Sequence, residues 1–280
     1  MALLSGDELW KTLRSGKTII SDGAIGSLLM GEGIAPDQLL STNVHNPILV
    51  DSVHKAYINS HADFITSNTF GLRRSREWQA EVLAGISLAV NAARTSAREI
   101  GLWFSLAPAT VILESDSLSS MSMTASDSPP MYLIETCTGL AEARAAMRTA
   151  LTLRHSVLAI TAHFGVEGTM LDGTLPETFA ESLVADGADI VGCNCGSTPD
   201  LFVDVTRRMR SRTKAPLLVQ PSAGIPTIDD SGETRYPVSP ELFAKTALEL
   251  VNAGADIVGG CCGTSPLHIE AFHCRLRSAY

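Results

Sequence analysis

Residues 188–196 read ADIVGCNCG, and residues 255–263 read ADIVGGCCG. The second copy begins 67 residues after the first, and a glycine, Gly187 or Gly254, precedes each. Both open on a short apolar run and close on cysteine and glycine. A weaker third copy, ADFITSN at 62–68, puts Asn68 where Asn194 stands. Equivalent strands of one closed sheet give such copies, and their ends then meet at a common mouth.

Similar apolar runs recur along the whole chain, at 18–21, 63–67, 102–106, 131–134, 157–161, 189–192, 217–220 and 256–259. They are continuous rather than alternating, as strands covered on both faces are. Helical patterns separate most of them. Asn46-Pro47 opens one that runs to about residue 61, and residues 76–100 form a long, Ala-rich one. Others cover 140–153, 176–185, 199–210 and 240–252. Proline opens the last three at the first helical position, and Gly187 and Gly254 end two of them. Alternation through eight strands predicts an α/β fold, a single (β/α)8 TIM barrel with residues 1–280 as one domain. One unit is irregular. Residues 109–130, ATVILESDSLSSMSMTASDSPP, are rich in Ser and Met and have weak helical periodicity. The helix between strands 3 and 4 is therefore expected to be irregular or missing, with the segment acting as a loop or cover.

The 280 residues are 45% hydrophobic, enough for one large core. A net charge of −9 repels a nucleic-acid backbone or an anionic membrane, so neither is expected as a partner. No apolar run approaches the roughly 18–20 residues of a bilayer span. The first ten residues carry Asp7 and Glu8, not a basic region followed by an apolar stretch. The expectation is a cytoplasmic protein with reduced thiols. Four of its six cysteines, Cys193, Cys195, Cys261 and Cys262, fall in two short clusters.

Active sites of such barrels sit at the C-terminal ends of the strands. The residues there are Asp22-Gly23, Asn68-Thr69, Pro108, Glu135-Thr136, His163, Cys195, Gln220-Pro221-Ser222 and Cys261-Cys262. Three cysteines from strands six and eight then share one rim. Three thiolates leave one position of a tetrahedral zinc site open, and soft sulfur favours zinc over magnesium or calcium. Three anionic sulfurs also lower the effective charge of such a metal. That suits a bound thiolate attacking an electrophilic carbon better than it suits zinc-hydroxide hydrolysis. Buried free cysteine is nevertheless common. On spacing alone, packing and metal binding stand level for Cys195, Cys261 and Cys262. Cys193 reads as a packing residue, as do Cys137 and Cys274. His163 reads equally as a pocket residue or a structural one. His54 and His61 fall on a helical pattern.

Several motifs together resemble one family. They are DGAIGSLL at 22–29, TSNTFG at 66–71, Glu135-Thr136, GCNC at 192–195, PSAGIP at 221–226 and GGCCGTSPLHI at 259–269. In this order they look like the homocysteine S-methyltransferase family, which includes the homocysteine-binding module of cobalamin-dependent methionine synthase. The resemblance implies a barrel whose zinc is held by Cys195, Cys261 and Cys262, with the thiol of homocysteine in the open position. It implies that Asp22, Gly23, Ala24 and Glu135 hold the amino-acid end, and that Asn194 supports the site. A carboxylate suits an ammonium group, and turn N–H groups suit a carboxylate. The plainer alternatives are a tight strand exit for the glycine turn and a structural pairing for Glu135. No catalytic group beyond the metal-activated thiol is implied, and the product would be methionine.

The donor stays open among a methylcorrinoid, S-methylmethionine and S-adenosylmethionine. The regions 163–165 and 217–237 are closer to the methionine-synthase module than to the betaine enzymes, which favours a corrinoid. No D-x-H-x-x-G cobalamin motif occurs, so that cobalamin would come from outside or on a separate corrinoid protein. Ser27 and Ser222 depart from the family's usual Thr and Asn. The family's G-x-x-G-P turn appears only as Ser105-Leu106-Ala107-Pro108. Rival readings are a redox protein using the C-x-C and vicinal pairs, and a zinc- and thiol-binding domain without turnover.

Overall fold

The computed structural model describes residues 3–71, 76–114, 116–118, 130–196, 198–229 and 234–279. Its strands are β1 (Ile19–Ile20), β2 (Phe64–Thr66), β3 (Gly101–Leu106), β4 (Met131–Cys137), β5 (Val157–Ala162), β6 (Ile190–Asn194), β7 (Leu217–Gln220), β8 (Thr227–Ile228), β9 (Thr234–Arg235) and β10 (Ile257–Val258). Eight of them form one parallel sheet in the order β1-β10-β7-β6-β5-β4-β3-β2. A bridge between Ser21 and Phe64 joins its two ends, so the sheet closes as the expected barrel. The remaining two, β8 and β9, make an antiparallel ribbon in the connection that follows β7.

The seam between β1 and β2 is short of backbone pairing, and carboxylates complete it. Asp63 N–H reaches Ile20 O at 2.7 Å, and Ile20 N–H returns to the Asp63 side chain at 3.1 Å. Above them, Thr66 N–H donates to the Asp22 carboxylate at 2.7 Å.

A helix follows each barrel strand. They span Pro47–Asn59, Trp78–Thr95, Pro108–Leu113, Leu140–Ala150, Pro176–Asp186, Pro199–Arg210, Pro240–Ala253 and Pro266–Ala279. Proline opens six of these, where its missing N–H costs no hydrogen bond. Gly187 and Gly254 end two of them at φ 113° and 107°, a left-handed turn that favours glycine. The irregular third unit is present as expected. Its helix has six residues, and residues 115 and 119–129 of the segment read as a loop or cover lie outside the described residues.

Two of the longer helices among the described residues were not expected. Gly6–Arg14 is opened by a capping box in which Ser5 and Glu8 bond each other's backbone N–H. The second is the C-terminal Pro266–Ala279. His61 falls just past the helix it was assigned to, at φ 68°. Cys274 is exposed on the last helix, which corrects its reading as a packing residue.

Side chains alternate in and out along each strand. Phe64, Trp103, Leu133, Ala159, Ile190, Leu218 and Ile257 fill the lower barrel, with Leu9 of the first helix against them. The intervening residues, such as Ile65, Phe104, Ile134, Val191, Cys193 and Val219, pack outward with the helices. The same alternation carried upward turns Thr66, Ser105, Glu135, Thr161, Asn194 and Gln220 to the inside. The barrel interior thus changes from apolar to polar just below its C-terminal mouth.

Candidate metal centre and substrate pocket

The sulfurs of Cys195, Cys261 and Cys262 meet at that mouth. Cys195 Sγ lies 3.4 Å from Cys262 Sγ and 3.1 Å from Cys261 Sγ, and the vicinal pair is 3.9 Å apart. All three are free thiols. Tetrahedral zinc–sulfur bonds of about 2.3 Å require sulfurs about 3.8 Å apart, so a small contraction or expansion of each edge fits this triangle to a metal ion. It is also the group of potential metal ligands found among the described residues.

The end of β7 holds all three cysteines by their backbones. Cys195 N–H donates to Gln220 O at 3.3 Å, and Cys261 N–H donates to Pro221 O at 2.8 Å. Ala223 N–H donates to Cys262 O at 2.8 Å. The PSAG stretch is therefore a spacer that sets one ligand loop against the other. Cys195 itself sits at φ 56°, an uncommon conformation for a side chain with a Cβ, and one that recurs at functional sites. His163 donates through Nδ1 to Cys195 O, which makes it a clamp on the ligand loop. Cys193 faces the helices, so the C-x-C sulfurs do not come together as the redox reading requires.

Hydrogen bonds from Cys195 and then Cys261 hold the Cys262 thiol far below the ordinary thiol range. The Cys261 thiol is pushed well up by its sulfur neighbours and by burial. A cation at the centre is what would let all three carry charge.

Beside the sulfurs is a cavity of about 240 Å³. Its wall includes Gly23, Ala24, Met30, Phe70, Ser105, Glu135, Thr136, Gln220 and the three cysteines. Burial pushes the Glu135 carboxyl up to about 7 against the opposing hydrogen bond from Ser105. Ser105 Oγ holds one carboxylate oxygen, and Asn194 Nδ2 approaches the other at 3.4 Å. Asn194 is the hub of this side. Its Oδ1 accepts from Thr136 N–H at 2.9 Å and Thr161 Oγ1 at 2.7 Å, and its Nδ2 donates to Thr136 Oγ1 at 2.7 Å. The same Nδ2 is 3.9 Å from Cys261 Sγ, so one amide links the carboxylate to the sulfur cluster.

The glycine turn forms the opposite wall. Asp22 is fully buried, and Thr66 binds its oxygens through N–H and hydroxyl, both at 2.7 Å. Burial pushes its carboxyl up to about 7. Gly23 and Ala24 face the cavity while Asp22 lies behind them. A Cβ at Gly23 would sit 2.5 Å from Thr264 Oγ1 and 2.9 Å from Tyr57 Oη, so close packing demands glycine there. Ala24 N–H is already donated to Thr264 Oγ1 at 3.1 Å.

The residues assigned to the metal and the substrate in the sequence thus lie at the mouth, with Asp22 one layer deeper. Ser105, Gln220 and Thr264 were given no role beforehand. The first two do carry a signal, since each stands two positions after an inward apolar residue at a strand end.

A family model described as homocysteine S-methyltransferase matches residues 19–276. The chain belongs to the homocysteine S-methyltransferase family. It is 27% identical over 291 aligned residues to methionine synthase of Mycobacterium tuberculosis (strain ATCC 25618 / H37Rv), covering 91% of this chain and 24% of that one. It therefore spans about a quarter of the length of the methionine synthases it matches. Betaine--homocysteine S-methyltransferase 1 of Mus musculus is 35% identical over 130 residues, 41% of this chain and 32% of its own. Among solved structures, the metallated form of the homocysteine methyltransferase MmuM from Escherichia coli shares the fold, with a TM-score of 0.75 at 19% identity. That match covers 95% of this chain and 99% of the other. No helix among the described residues is long and apolar enough to cross a membrane.

Proposed function

We propose that this chain is a zinc-dependent methyltransferase domain that makes methionine from homocysteine, with Cys195, Cys261 and Cys262 as the metal ligands. The observation that carries the reading is the shared cavity. Three sulfurs spaced for a tetrahedral ion and one buried carboxylate face the same space, in a chain of the homocysteine S-methyltransferase family. Zinc held there would supply the charge that keeps a substrate thiol in its nucleophilic thiolate form at neutral pH.

The chain's own residues do the rest. Glu135 receives the substrate ammonium, which removes the penalty of burying that carboxylate as an anion. Ser105 and Asn194 keep the carboxylate in place. The wall at Gly23 and Ala24 presents backbone to the substrate carboxylate, with Asp22 holding the turn to β2. A substrate filling this cavity displaces water from beside the sulfurs.

On the donor side we favour a methylcorrinoid brought from outside the chain. Quaternary ammonium donors are recognised by cages of aromatic rings. Phe70 is the one aromatic side chain on the cavity wall among the described residues. The rim instead exposes Met30, Phe70, Val166, Leu171, Ile225 and Ile228 on the connections after β1, β2, β5 and β7, an apolar surface suited to a bulky donor.

The test is a methyl-transfer assay with homocysteine against methylcobalamin, S-methylmethionine, S-adenosylmethionine and betaine. Methionine should form with methylcobalamin and not with betaine. Homocysteine binding with no methionine from any donor would reject turnover and leave a thiol-binding domain.

A further inference from the structure

Cys262 is gripped through the peptide that follows it. The carbonyl of that peptide, Cys262 O, accepts the Ala223 N–H at 2.8 Å. Its N–H, which belongs to Gly263, donates to Ser27 Oγ at 3.0 Å. A trans peptide is planar, and its C=O and N–H point in opposite directions. The two bonds therefore pin the unit along one line, between the connection after β7 and the short helix Gly26–Gly31 that follows β1. Rotation about that line is left free by them. It would swing Gly263 Cα one way and Cys262 Cα, with its sulfur, the other.

The Tyr236 ring blocks this motion. Gly263 stands at φ 78°, and a Cβ placed on it would overlap Cγ, Cδ1 and Cδ2 of that ring. The ring thus fills the space of a side chain against Gly263 Cα, and glycine alone admits it there. Tyr236 directly follows β9 and is half-buried against the core. Its hydroxyl end reaches the Ser27 side chain. The chain beyond it is fixed as well. Val238 N–H donates to Ala223 O at 3.0 Å, so Ala223 joins the segment that carries the ring to the Cys262 carbonyl.

We infer that Tyr236 and Ser27 are positioning residues for the metal centre, the ring and the hydroxyl together keeping the Cys262–Gly263 peptide from tilting and the Cys262 sulfur at its corner of the triangle. The inference rests on zinc held by the three cysteines and adds the parts that slow its loss. A ligand that tilts away leaves the ion on two sulfurs, with a shorter path out. The assignment accounts for the last glycine of GGCCG, which is not a metal ligand and does not line the cavity. It also gives a use to the stem of the β8–β9 ribbon, which brings Tyr236 back over the ligand loop.

The test follows zinc release from the reduced, zinc-loaded protein into a chromogenic chelator, with Tm measured on each variant. Ser27→Ala removes the acceptor of the Gly263 N–H, and Tyr236→Ala removes the ring. Each should speed release at least about fivefold, the size of one lost hydrogen bond. Tyr236→Phe keeps the ring and should stay within about twofold of wild type. Val184→Ala is the control for general loosening. It trims a partly buried side chain near the end of the helix Pro176–Asp186, away from the mouth, and should lower Tm while zinc leaves at the wild-type rate. Ser27→Ala deletes one atom, so it tests the clamp even where loss of a whole ring unsettles the fold. A wild-type release rate in either Ser27→Ala or Tyr236→Ala would overturn the assignment. Equal acceleration in Val184→Ala would overturn it too, since release would then follow overall stability. Tyr236→Phe releasing zinc as fast as Tyr236→Ala would remove the ring from the account. Wild-type protein that takes up no zinc would sink the metal reading itself, and the assignment with it.

Discussion

The Thr264 hydroxyl takes the amide hydrogen of Ala24 at 3.1 Å and gives its own hydrogen to Cys261 O at 2.7 Å. One side chain thereby ties the glycine turn after β1 to the ligand loop after β10, across 240 residues of sequence. Tyr57 Oη closes the same junction against Ala24 O at 2.8 Å and Thr264 O at 3.1 Å.

Thr264→Val keeps the shape and removes both bonds. Because the site is fully buried, the orphaned groups should cost about 1–3 kcal/mol. The expected result is a lower Tm together with faster loss of metal to a chelator. A variant with wild-type Tm and wild-type metal retention would show that the tether does not hold the ligand loop.

Glu135→Ala separates substrate binding from metal binding. The carboxylate is held by Ser105 and Asn194 and reaches the sulfur cluster through the Asn194 amide, 3.9 Å from Cys261 Sγ, which Thr136 and Thr161 also hold. Homocysteine affinity should fall about tenfold to a hundredfold, about 1.5–3 kcal/mol, as for a hydrogen bond to a charged group. Zinc content should stay at the wild-type level. Unchanged homocysteine affinity in calorimetry would reject the role.

His54 supplies a pH signature that has nothing to do with the active site. It is fully buried with neither ring nitrogen hydrogen-bonded, and burial pushes its pKa down from 6.5 to about 4. The unfolded chain takes up this proton near pH 6.5, whereas the folded chain does so only near pH 4. Between those values the unfolded state binds more protons, so stability falls as pH falls. The loss from this group alone approaches about 3 kcal/mol at the bottom of the window. His54→Leu should flatten the pH dependence of urea midpoints between pH 7 and pH 4.5. Parallel profiles for the two proteins would refute the account.

The contrast between Cys193 and Cys195 shows what a sequence can say about this fold. Alternation along β6 sends Cys193 to the helices and would send Cys195 the same way; β6 ends at Asn194, and the backbone turn at Cys195, φ 56°, is what brings its sulfur to the mouth. The repeated ADIVG frames and the proline and glycine punctuation were enough for the barrel. Two things were hidden for physical reasons. Asp22 looked like a ligand-binding carboxylate, but whether a strand-end acid turns to the cavity or to the seam depends on how β1 pairs with β2. Gln220 looked like any strand end, since the lack of a partner for its carbonyl shows only once the neighbouring side chains have theirs. The first helix was legible after all, in Ser5 and Glu8 three residues apart and in its amphipathic pattern, but it precedes the first strand and so lies outside the strand–helix alternation that marks the others.

Everything in this account passes through the three sulfurs. Its most direct test is the metal content of the reduced, purified chain before and after reconstitution with zinc. The account predicts about one zinc per chain, retained through dialysis. A chain that holds no zinc and takes up none under reducing conditions would contradict it, whatever the family it belongs to.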